Sequence, residues 1–98
     1  MQLEISHKEI ENFCRRWSIT ELALFGSALR NDFRSDSDID ILVTFPPKTP
    51  HSLFDLADMQ EELKSILGRD VDLVERASLR NPFRRQHILQ NMEIIYAA

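Results

Sequence analysis

Three aspartates and one glycine turn are the residues of this chain whose types and spacing could do chemistry. Asp38 and Asp40 stand at the mouth of a β-branched, apolar run, IDILVTF, over residues 39–45. In a strand, residues i and i+2 project from the same face, about 7 Å apart. Two carboxylates placed that way repel each other, and a divalent cation relieves the repulsion. Hard oxygen donors suit Mg²⁺, which takes one or two carboxylates together with substrate phosphates. Asp72 lies in a second β-branched run, Val71–Val74. A neighbouring strand would set it beside the pair, and three carboxylates on one sheet face could hold two metal ions.

Gly26 ends a short apolar run, ELALF, and precedes Ser27-Ala28-Leu29-Arg30. Glycine lets the backbone approach a ligand closely. A helix opening just after it would present free amides and a partial positive charge, both of which favour phosphate. Ser27 adds a hydroxyl donor, and Arg30, one turn on, could meet a phosphate or pair with a nearby carboxylate. Gly26, Ser27 and Arg30 are therefore the candidate nucleotide-binding residues. The short gap from Gly26 to Asp38 lets a phosphate end and a metal end share one pocket. A calcium loop starting at Asp36 would need glycine at its sixth position and glutamate at its twelfth. Ile41 and Pro47 stand there, which excludes it. His7, His51 and His87 lack metal-ligand spacing and read as surface residues.

Elements that position these groups are legible in the apolar periodicity. Ser6 and Glu9 form a capping box, followed by Ile10, Phe13, Cys14 and Trp17 on one helical face, so a first helix is expected over residues 6–17 with Cys14 and Trp17 in the core. Residues 21–25 read as a buried strand and 27–30 as the start of a short helix. Residues 31–38 form a polar loop. The strand over 39–45 ends at Pro46-Pro47. Ser52 and Asp55 open a second helix over 52–67, with Leu53, Leu56, Ala57, Leu63, Ile66 and Leu67 along one stripe and Gly68 as its left-handed cap. Residues 71–74 are a third strand. Asn81-Pro82 starts a last helix carrying Phe83, Ile88, Leu89 and Met92, and residues 93–96 form a possible fourth strand. Alternating helices and strands predict an α/β (α+β) fold, a small mixed sheet with helices packed on it.

The 98 residues, 43% hydrophobic and 29% charged, predict a single domain over 1–98. No run approaches the ~18 apolar residues of a membrane span. The mixed-charge start argues against export, and one cysteine fits a reducing cytoplasm. The charge is uneven. Residues 1–75 hold 8 basic and 15 acidic side chains, a balance of −7, whereas residues 76–98 hold 4 basic and 1 acidic, a balance of +3. An acidic body argues against direct binding of nucleic acid. A basic tail with Arg80, Arg84 and Arg85 suits an acidic partner or a triphosphate.

Gly26-Ser27, ten intervening residues and Asp38-Ile39-Asp40 resemble the signature of the DNA polymerase beta superfamily. More narrowly, GSALRNDFRSDSDIDILVTF and the closing NPFRRQHILQNMEIIYAA are similar to the minimal nucleotidyltransferases of bacteria and archaea, over about residues 20–96. One departure is Asn31, where such proteins often carry glycine. The resemblance implies a polymerase-beta-like nucleotidyltransferase fold, with ATP as substrate and Mg²⁺ as cofactor. It implies that Asp38 and Asp40 bind metal, that Asp72 is the third carboxylate and aids the acceptor nucleophile, and that Gly26 and Ser27 hold the triphosphate. It also implies a partner, a HEPN-domain ribonuclease toxin that receives AMP on a tyrosine and is thereby neutralised. The alternative is a non-catalytic antitoxin whose nucleotide site is degenerate.

Overall fold

The computed structural model describes residues 5–26, 38–49 and 51–98. Helix α1 (His7–Arg16) starts at Ser6, whose hydroxyl accepts from the Glu9 amide at 3.4 Å. Strands β1 (Glu21–Phe25) and β2 (Ile39–Thr44) follow. Helix α2 (Leu53–Leu67) opens with a reciprocal capping box between Ser52 and Asp55 and closes on Gly68 at φ 68°. Strand β3 (Val71–Glu75) leads through a 3₁₀ turn (Arg76–Ser78) to helix α3 (Pro82–Asn91). The Asn81 side chain caps α3 by accepting from the Phe83 and Arg84 amides. Strand β4 (Glu93–Ala97) completes a four-stranded sheet in the order β3-β2-β1-β4.

The sheet is mixed, as expected. β1 pairs antiparallel with β2 and β4, while β2 and β3 run parallel across the α2 crossover. Period-two alternation divides the strand side chains between two cores. On one face Leu22, Leu24, Ile39, Ile41 and Val43 pack with Ile10, Phe13 and Cys14 of α1 and Met59, Leu63 and Leu67 of α2. On the other, Ala23, Phe25 and Leu42 pack with Leu79 and with Ile88 of α3. Helices thus cover both faces. No helix among the described residues is long and apolar enough to cross a membrane.

Some expected positions differ. Leu53, 83% exposed, and Ala57, also exposed, drop out of the α2 stripe, while Met59 is fully buried within it. Leu53 is the first residue of α2 and joins neither apolar cluster. Phe83, at the start of α3, is exposed in the same way. Trp17 is half-buried rather than enclosed. A buried indole N–H needs an acceptor, and this one donates to the Glu62 carboxylate at 2.5 Å. His51 is not a free surface residue, for its ring lies on Phe45 with centroids 3.9 Å apart. The expected helix start at 27–30 and the loop over 31–37 lie outside the described residues.

Candidate active site

Asp40 and Asp72 stand side by side at one end of the sheet because of strand direction. β2 and β3 are parallel and begin at the same end, with Asp40 and Asp72 as direct register partners. Adjacent strands lie about 4.8 Å apart and partners share a face. That face is settled by their neighbours: Leu42 and Val74, two residues on, both belong to the α3 side. Asp40 and Asp72 therefore project from the α3 side of the sheet. Asp40 is half-buried and Asp72 exposed, so a ligand can reach both. Asp38 immediately precedes β2 and is exposed at its entrance.

β1 arrives at the same end from the opposite direction. Its last residue, Phe25, pairs with Asp40, and Gly26 follows. Gly26 has φ +68°, a conformation most side chains avoid. A Cβ on Gly26 would run into the Asp40 carboxylate. The glycine thus does two things at once: it turns the chain and leaves room for the carboxylate. From sequence, Gly26 served only a phosphate cradle. Its contact with Asp40 depends on the antiparallel β1–β2 register, which spacing alone did not reveal. Ser27 and Arg30 lie outside the described residues.

Asp38, Asp40 and Asp72 provide hard oxygen donors suited to Mg²⁺. Among the described residues no group of three His, Cys, Asp or Glu side chains stands ready to hold a cation. The register-partnered Asp40 and Asp72 supply two carboxylates, the number Mg²⁺ commonly takes together with substrate phosphates. Asp70, next to the site in sequence, is a surface charge as expected. It pairs with Lys64 at 3.0 Å and raises the lysine pKa by that hydrogen bond. A groove of about 590 Å³, lined in part by Lys48, Arg76 and Arg85, lies at the opposite end of the sheet, so it is separate from the acids.

Residues 7–95 match the family model described as a nucleotidyltransferase domain. A candidate protein adenylyltransferase of Methanocaldococcus jannaschii is 33% identical over 89 residues, covering 91% of this chain and 89% of that one. Protein adenylyltransferase MntA of Thermococcus cleftensis is 41% identical over 66 residues, 67% of this chain and 65% of that one. The solved structure of a tri-AMPylated Shewanella oneidensis HEPN toxin in complex with MNT antitoxin matches with a TM-score of 0.66 at 23% identity, over 94% of this chain and 70% of the matched chain. That last likeness concerns the fold.

Proposed function

The chain belongs to the nucleotidyltransferase domain family, and from that premise we propose that it transfers AMP from ATP to a tyrosine hydroxyl of a HEPN-domain toxin and so acts as its antitoxin. The observation that carries this reading is the contact at the sheet end: Asp40 in register with Asp72, and Gly26 held against the Asp40 carboxylate. Support for the acceptor comes from the similar protein adenylyltransferase MntA of Thermococcus cleftensis and from the AMPylated HEPN toxin seen with its MNT antitoxin.

In this reading Gly26, Ser27 and Arg30 bind the triphosphate, with Gly26 giving it a close backbone approach. Asp38, Asp40 and Asp72 are the metal-holding set. Mg²⁺, when bound, neutralises charge that builds on the phosphate oxygens during transfer. Asp72 is exposed, so an incoming hydroxyl can reach it. Its carboxylate accepts the hydroxyl proton. The acceptor oxygen bonds to the α-phosphorus while the bond from that phosphorus to the bridging oxygen breaks. Pyrophosphate leaves with that electron pair, and AMP remains on the acceptor.

The test mixes the protein with Mg²⁺, α-labelled ATP and a HEPN-domain protein from the same genome. Label on the partner that disappears with Asp40→Asn is the expected result. Equal neutralisation of the partner by wild type and Asp40→Asn, with no label in either case, would replace this reading with a non-catalytic antitoxin.

A further inference from the structure

We propose that the groove at the far end of the sheet docks an acidic peptide segment of a partner protein. It lies where β2 and β3 finish, and its walls include Phe45, Pro46, Lys48, Arg76 and Arg85 together with the Glu75 carboxylate. Its cations are not committed to ion pairs, a state shared by Lys8, Arg80 and Arg84 among the described residues. Arg15, Arg16 and Lys64 each pair with a carboxylate. Lys48, Arg76 and Arg85 form no ion pair among the described residues. Three cations against one carboxylate leave the groove net positive around a largely apolar floor, which complements carboxylates interleaved with apolar side chains.

Lys48 strengthens the argument. It sits at φ 63°, where glycine or asparagine would be easier to hold. A lysine there places a cation on the groove at a backbone cost, the kind of outlier from which function can be inferred. Nucleic acid fits less well. Stacking platforms need an open aromatic face, and the Phe45 ring is already engaged by His51. Free amides at the start of α3 would suit phosphate, but Asn81 already accepts from two of them.

This inference is separate from the transfer chemistry, because its residues lie at the other end of the strands. Fluorescence anisotropy provides the test, with a short fluorescein-labelled peptide alternating glutamate and leucine. Controls are the same peptide with glutamine for glutamate and a short single-stranded RNA. The acidic peptide alone should bind, and Asp40→Asn should bind it as wild type does. Arg76→Gln with Arg85→Gln should weaken it roughly tenfold. Lys48→Asn keeps the left-handed turn, so it should weaken binding roughly threefold at an unchanged or raised melting temperature. RNA binding with the same losses, equal binding of the glutamine peptide, or no binding of the acidic peptide at low salt overturns the proposal.

Discussion

At the scale of single residues, the two glycines separate a backbone requirement from a chemical one. Both have φ +68°, but a Cβ on Gly26 meets Asp40 and one on Gly68 meets nothing within 4 Å. Alanine at either position should cost about 1–2 kcal/mol for its left-handed backbone. The consequences for transfer should diverge. A Cβ at residue 26 pushes the Asp40 carboxylate aside, and a misplacement of about 1 Å can cost roughly 100-fold in rate. Denaturant titration and label transfer on Gly26→Ala and Gly68→Ala check both halves. Similar transfer rates in the two variants would remove Gly26 from the site. Cys14 supplies a pH effect. Burial pushes its thiol up from the usual 9.0 to about 12. Below about pH 9 folded and unfolded chains both hold the proton, so the contribution is fully present. As pH rises toward 12 the unfolded chain loses the proton first, and stability falls. Stability measured on either side of about pH 9 should therefore decline in wild type and decline less in Cys14→Ala.

At the scale of elements, local chemistry predicted starts and stops well, because caps and turns are decided by a few neighbouring residues. Ser52, Asp55, Gly68, Asn81 and Pro82 all do what their types suggested. Helical periodicity was a weaker guide to burial, since it identifies a face but not how far a partner element extends along it. Leu53 and Leu63 share the expected stripe, yet Leu53 is 83% exposed and Leu63 0%. Leu63→Ala should cost about 2–5 kcal/mol, whereas Leu53→Ala should stay within about 0.5 kcal/mol. Chemical denaturation of the pair checks this, and a large loss at Leu53 would mean that α2 is covered at its start. Strand order was not legible. Nothing in the spacing says that β1 lies between β2 and β4. That arrangement is what sets Phe25 opposite Asp40 and brings the glycine turn to the acids. The neighbouring placement of Asp40 and Asp72 was legible from their positions at two strand entrances, because a parallel β2–β3 pair brings them level once both strands start at the same end.

At the scale of the whole molecule, strand direction separates two electrostatic poles. Asp38, Asp40 and Asp72 lie where β2 and β3 begin, and Lys48, Arg76 and Arg85, which form no ion pair among the described residues, lie where they end. At the acidic pole the proposed ligands reinforce one another: carboxylates favour a cation, and the cation favours a triphosphate. Binding should therefore be cooperative, and it should appear in thermal stability. A ligand that binds only the folded state at about 100 times its Kd adds roughly 2.7 kcal/mol. For a domain near 100 residues, that raises Tm by on the order of 10 °C. Mg²⁺ with ATP should give a shift of this size, and a chelator should reverse most of it. Mg²⁺ alone should give far less, since one or two carboxylates leave much of its shell to substrate phosphates. Asp40→Asn should lose the combined shift without a matching loss in the unliganded Tm, because its carboxylate lies at the sheet end outside both apolar clusters. A full shift with Mg²⁺ alone would instead point to a resident cation, and an undiminished shift in Asp40→Asn would place the triphosphate away from Gly26 and Asp40.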